Sequence, residues 1–214
     1  MPVFHPRVND TGQPVPLRSP STPTPLSCWA DANAIARVVP DGPLPTHLSG
    51  LALAPWPDDT PGDVTRLWQS AVTPLALGRD TPALPSLPGK VPAAGAVVLE
   101  PDGRVWVIHP SNGFGGYRAT FPKGRQEPGL SLEQTAIKET LEEAGLAIEL
   151  IRWLVDVPRS ASLTRYFLAR RIGGSPAAMG WESQAVSLVP IKRLGEVLHH
   201  ANDQPLQEAL HHDA

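Results

Sequence analysis

The sequence predicts an α+β protein in which a mixed β-sheet is sandwiched by helices, and three observations carry that expectation. Apolar runs of strand length recur from Ala93 to Val189. A single helix with strong start and stop signals divides them, beginning near Leu132. Two further helix-like stretches, Ile191–His199 and Pro205–His211, close the sequence. Strands interleaved with one central and two terminal helices suit a layered α/β/α arrangement.

Taken in order, residues 1 to about 27 are rich in proline, serine and threonine and read as extended or mobile chain packed on a neighbour. From Trp29 to Gly89 the composition is mixed. Ala34–Val39 and Leu48–Ala54 read as strands, and Pro61–Ala71, with Val64, Leu67 and Trp68, as a short helix. Trp29, Trp56 and Trp68 argue for a packed unit over disorder. Residues 1–89 are therefore expected to form a proline-rich extension or small appended domain, such as a dimerisation arm, ahead of a main domain at 90–214.

Within the main domain, Ala93–Glu100 and Val105–His109 flank the turn Pro101-Asp102-Gly103 and read as a hairpin. A glycine-bearing loop at 110–116 leads into a strand expected at Tyr117–Phe121. After the central helix, Ile148–Val157, Ser162–Ile172 and Ala185–Val189 are strand-like. The second of these carries Leu163, Tyr166, Phe167 and Leu168.

The central helix has its ends written into the sequence. Ser131 and Gln134 form a capping box in which each side chain satisfies a backbone N–H of the other's residue. Leu132, Ala136, Ile137, Leu141 and Ala144 make a narrow apolar stripe. Gly145 supplies the left-handed residue that stops the helix, and Leu146 the apolar contact that follows. Between those ends Glu139, Glu142 and Glu143 emerge as neighbours and repel one another. A hard dication with oxygen ligands offsets that repulsion, and Mg²⁺ is commonly held by one or two carboxylates plus substrate phosphates. Lys123 and Arg125, on the turn just before the helix, are placed for phosphate oxygens.

Composition narrows the function classes. Of 26 prolines, 18 precede residue 93, so the N-terminal part is built differently from the rest. A net charge of −3 with no basic run gives no footprint for nucleic-acid binding. One cysteine, Cys28, excludes an internal disulfide and reads as a small buried hydrophobe. With no signal-peptide pattern and no long apolar run, the expectation is a soluble, cytoplasmic protein without a membrane partner.

The segment Gly124–Leu146 resembles the Nudix box: a glycine, five residues, Glu, seven residues, then Arg-Glu-apolar-x-Glu-Glu-x-Gly-apolar. Gly124 opens it, Lys138-Glu139-Thr140-Leu141-Glu142-Glu143 is its central run, Gly145-Leu146 closes it, and it spans 23 residues. Three positions depart from the pattern, with Leu130 for the first glutamate, Lys138 for the arginine and Thr140 for the apolar residue. Loss of the glutamate together with the Arg-to-Lys change implies that one supporting charge–charge contact is dropped at both ends, leaving Lys138 to pair elsewhere.

The resemblance implies a Nudix-like α/β/α sandwich and hydrolysis of a phosphoanhydride in a nucleoside diphosphate linked to another group, with Mg²⁺ or Mn²⁺ as cofactor. It implies metal ligation by Glu139, Glu142 and Glu143 with a backbone carbonyl near Gly124. The general base is one of these glutamates or a later-loop carboxylate, for which Glu182 is the candidate. Lys123 and Arg125 lead the substrate-binding residues, with Arg118 and Arg165 behind them, and Tyr166 and Trp181 are candidates for stacking on a base. The lead-in Phe121-Pro122-Lys123-Gly124-Arg125 is similar to that of family members acting on dinucleoside polyphosphates or diphosphoinositol phosphates, which ranks polyphosphates first and ADP-ribose next. Pro158 falls too early and Tyr166 slightly late to mark a subfamily. The alternative implied by the departures is a fold that senses nucleotide without turnover. His199, His200, His211 and His212 read as helix-end and tail residues in preference to a second metal site.

Overall fold

Period-two alternation along the strands builds two apolar cores, one on each face of the sheets. The computed structural model describes residues 3–56, 81–111, 113 and 116–212. The expected helix at 61–71 lies outside them. Phe4–Val8 (β1) and Pro14–Pro16 (β2) pair as an antiparallel ribbon within the segment expected to be extended or mobile chain. Asn9 Oδ1 closes its turn by accepting from Thr11 N and Gln13 N. A short helix, Ser27–Ala30 (α1), precedes Ala36–Val38 (β3).

The strand expected at 48–54 is instead a tight hairpin of His47–Leu48 (β4) and Leu51–Ala52 (β5). Ser49 and Gly50 both take positive φ, 51° and 80°, the geometry of a two-residue turn that reverses the chain. A second correction concerns Val91–Val98 (β6) and Arg104–Pro110 (β7). The turn between them forms, with Gly103 N donating to Glu100 O and Glu100 N to Arg104 O. Past the Leu99–Val105 bridge, however, the strands part into different sheets. Each finds its own partners: β6 lies between Lys123–Arg125 (β8) and Ser162–Gly174 (β10), whereas β7 pairs with Ser183–Pro190 (β11).

The sheet order is therefore β8-β6-β10-β9, with Leu146–Pro158 as β9, beside a three-stranded β3-β11-β7. Pairing of β6 with β10 is parallel and all other pairings are antiparallel, so the larger sheet is mixed. Tyr117–Phe121 is not a strand. Only Thr120 bridges, to Ile108, while Ala119 and Phe121 turn into the core.

Leu132–Ala144 (α2) has the capping box at Ser131 and Gln134 and a left-handed Gly145 at φ 68°. Its Ala136, Ile137 and Ala144 join Ala94, Ala96, Trp106, Ile108, Phe167 and Leu188 in the first core. Val97, Val105, Val107, Tyr166 and Val189, from the same strands, face the second core with Leu206 and Leu210 of Gln204–His212 (α3). The expected helix at 191–199 is a 3₁₀ turn, Ile191–Glu196, followed by another at Ala201–Asp203. No helix among the described residues is long and apolar enough to cross a membrane.

Two buried arginines dock the N-terminal segment. Arg104 donates to the carbonyls of Cys28, Trp29 and Asp31 at 2.7–3.2 Å, and Trp29 packs 5.9 Å from Trp106. Arg171 donates to the carbonyls of Leu48 and Ala52 and pairs with Glu100, which also accepts from Trp106 Nε1. Glu100 is 2% exposed, so removing its partner strands a charge in the interior. Arg171→Met should lower stability by about 3–5 kcal/mol in urea denaturation. Adding Glu100→Gln to that variant should recover part of the loss, because the stranded charge is gone.

Candidate active site

The box glutamates are positioned by close packing over glycine. Small residues on β6, Ala94 and Gly95, let β8 approach, and a Cβ on Gly95 would lie 2.4 Å from Pro122 O. This brings Gly124 under α2, where a Cβ would fall 2.1–2.2 Å from the Glu139 carboxyl atoms. Only glycine leaves room for that carboxyl against the backbone. Glu143, one turn on, accepts from Lys123 N at 2.7 Å. Gly180 N donates to Glu142 O at 2.7 Å, and a Cβ there would meet the same oxygen at 2.5 Å. That contact holds the 180–183 turn, with Glu182, against the end of α2.

The structure brings Glu139 and Glu143 together in the interior, 9% and 8% exposed. Burial, reinforced by the Glu143 charge and opposed by Lys138, pushes the Glu139 carboxyl up to about 8. Burial raises Glu143 to about 7 against the pull of the Lys123 charge and backbone N–H. Glu182 is raised by burial, then by Asp10 and Glu142. Glu142 is half-exposed and turns to Lys138 Nζ, which also lies 3.2 Å from Glu127. Lys138 thus pairs away from position 130. Thr140 is buried and donates to Ala136 O, and the Leu130 carbonyl accepts from Gln126.

As the side chains stand, no three acidic, histidine or cysteine groups among the described residues form a ready ligand cluster. The chemistry of the donor set nevertheless fits a hard dication: two carboxylates crowded in low dielectric keep raised pKa values despite the charges of Lys138 and Lys123, and their donors are all oxygen.

Two cavities flank these carboxylates, and Glu182 lines both. One, of 340 Å³, holds Tyr117, Lys123, Arg125, Glu143 and Arg159 with the hydroxyls of the 160–164 segment. The other, of 480 Å³, holds Glu139, Glu142, Lys138 and Trp181 together with Arg7 and Asp10 from the N-terminal ribbon.

Several expected residues lie elsewhere. Tyr166 is 0% exposed, so it has no face for a base; its hydroxyl accepts from Arg159 Nη2 at 2.7 Å. Arg165 is buried in a bidentate pair with Asp156. Arg118 lines neither cavity, and its carbonyl bonds His109. The aromatic on the cavity wall is Tyr117, stacked on His200 at 4.0 Å, its hydroxyl accepting from Arg159 and Asn202. Sequence reasoning missed Tyr117 and Arg159 because both sit in loops without a motif. Arg159 itself is anchored by Asp203 at 2.7 Å.

A raised carboxyl pKa has a direct consequence for stability. The folded chain keeps protons on Glu139 and Glu143 that the unfolded chain, titrating near 4.5, has released. In chelator, the melting temperature should therefore fall as pH rises from about 5 to about 8. Glu139→Gln with Glu143→Gln should flatten that fall, and Mg²⁺ should reduce it in the native chain. A pH slope unaltered by the double substitution would put these carboxyls in contact with bulk water.

The NUDIX domain profile matches residues 89–211, more than half of the chain. The chain is 33% identical over 97 residues to a Mycobacterium tuberculosis protein with the provisional name mutator protein MutT4, covering 42% of this chain and 39% of that one. It is 30% identical over 107 residues to an RNA pyrophosphohydrolase of Caulobacter vibrioides, covering 49% and 59%. The chain thus spans roughly two-fifths to three-fifths of these curated relatives. Among solved structures, a NUDIX hydrolase from Nitrosomonas europaea aligns at TM-score 0.48 with 22% identity, over 59% of this chain and 73% of that one. On the box, the two-core sandwich and the profile match together, the chain belongs to the Nudix family.

Proposed function

We propose that the protein is a Mg²⁺- or Mn²⁺-dependent pyrophosphohydrolase acting on a nucleoside diphosphate linked to another moiety, with dinucleoside polyphosphate-like substrates first and ADP-ribose next. The observation that carries this reading is the buried Glu139–Glu143 pair over Gly124, with Lys123 and Arg125 on the adjoining cavity wall. When bound, a dication supplies Lewis acidity toward phosphate oxygens and makes water more acidic.

In this reading Glu139 and Glu143, with the backbone at Gly124, would hold the ion, and Glu142 would join them on leaving Lys138. Glu182 takes the proton of the attacking water. Its place on the rim common to both cavities suits that role, and burial raises its affinity for the proton it must take. Lys123 and Arg125 grip non-bridging oxygens and stabilise charge on the departing group. A cavity wall with three cations, Lys123, Arg125 and Arg159, and four hydroxyl side chains favours a phosphate-rich substrate.

A second reading, nucleotide binding without turnover, draws on the Lys138–Glu142 ion pair, which occupies one box carboxylate. One assay separates the two. Phosphate and nucleotide release should be measured over dinucleoside polyphosphates, diphosphoinositol phosphates and ADP-ribose with Mg²⁺ and with Mn²⁺. For the enzyme, Glu142→Gln, Glu143→Gln and Glu182→Gln should each lower kcat by about a hundredfold or more. Absence of turnover on every substrate, with nucleotide binding retained, would favour the sensor.

A further inference from the structure

The matched family domain begins at residue 89, yet the 480 Å³ cavity beside Glu139 and Glu142 is partly walled by Arg7, Val8 and Asp10. The ribbon that carries them is fastened to the domain at several points. Trp181 Nε1 donates to Asp10 Oδ1 at 3.1 Å, next to Glu182. Arg18 N donates to Gln184 Oε1, and Gln184 Nε2 returns a bond to Ser19 O. Within the ribbon, Leu17 N donates to Val3 O and Arg7 N to His5 Nδ1, with His5 buried beneath. Arg7 is thus delivered on a strand whose register is set at both ends.

Its guanidinium stands out chemically. Among the described residues it makes no hydrogen bond or ion pair, although Glu127, Glu139, Glu142 and Glu182 line the same cavity. The other cation there, Lys138, is engaged by Glu142 and Glu127. A planar fork with unused donors at the edge of a carboxylate pocket matches the outer oxygens of a diphosphate whose inner oxygens would be neutralised by a dication held on the carboxylates.

We propose that Arg7 is a substrate-binding residue supplied from outside the family domain: it grips the diphosphate on the carboxylate side, opposite Lys123 and Arg125, with Asp10 and Trp181 as the latch that positions it. This rests on the pyrophosphohydrolase reading for the identity of the ligand. Arg7 acts on binding more than on chemistry, since it lies beyond the carboxylates that perform the reaction.

The test uses the full chain and magnesium pyrophosphate as the probe, with binding measured by calorimetry and turnover on the best substrate of the panel. Arg7→Ala should weaken binding and raise KM about fivefold to tenfold, with kcat changed less than twofold. Arg7→Lys should restore part of the affinity, and Asp10→Ala or Trp181→Phe, each of which breaks the latch hydrogen bond, should reproduce a fraction of the Arg7→Ala defect with Arg7 intact. Arg170→Ala, which removes a surface charge paired with Glu149 elsewhere, should leave binding unchanged. Native binding that survives Arg7→Ala but is lost in Glu143→Gln would overturn the role of Arg7 and leave the enzyme reading standing. A native chain that binds no magnesium pyrophosphate would overturn both.

Discussion

Two carboxyls one helical turn apart are held out of water, and most of the local architecture follows from accommodating them. Glu139 rests where a side chain on residue 124 would be, and Glu143 takes the Lys123 backbone N–H. Neither position is favourable for an ionised group alone, because burial raises the cost of charge and the two add to one another's burden. The surrounding structure supplies what keeps them there. A capped helix fixes their spacing, the small residues of β6 let the box loop approach, and Gly180 draws the following turn onto the helix end. Unfavourable burial that is over-determined by its surroundings is the kind of tension found where proteins bind ions and substrates.

Buried arginines do comparable work on the rest of the fold. Arg159 joins the β9–β10 turn to Asp203 and to the hydroxyls of Tyr117 and Tyr166, so the C-terminal elements and the cavity wall share one polar cluster. Charge-assisted bonds in such a setting are stronger than neutral ones, and a guanidinium can serve several acceptors in a plane. A change in the segment 200–203 therefore reaches Tyr117 through the His200 stack, the Asn202 hydrogen bond and the Asp203–Arg159 contact.

What could be read from the sequence was what depends on near neighbours. The ends of α2 were legible because Ser131, Gln134 and Gly145 act within one turn of themselves. The strand-like runs of the main domain were legible because alternation survives burial on two faces, as Trp106 and Val107 illustrate. Pairing was not: the 93–109 run looks like one hairpin until β10 and β11 compete for its two arms. Tyr166 looked available because an aromatic in a strand carries no mark of which core it faces. Tyr117, whose neighbours are 42 and 83 residues away in the chain, carried no local signal at all. Arg7 lay in a proline-rich stretch whose ribbon form depends on contacts near residue 184.

The grip of Arg104 and Arg171 on the N-terminal segment has a consequence for how such a protein can diverge. Their acceptors are main-chain oxygens of residues 28, 29, 31, 48 and 52, and every amino acid presents that atom. Outward-facing side chains along the segment are consequently free to drift while the clasp persists, provided the buried Trp29, Val38 and Leu48 keep their packing. An appendage attached in this manner can be re-tailored for new ligands over evolutionary time without renegotiating its attachment.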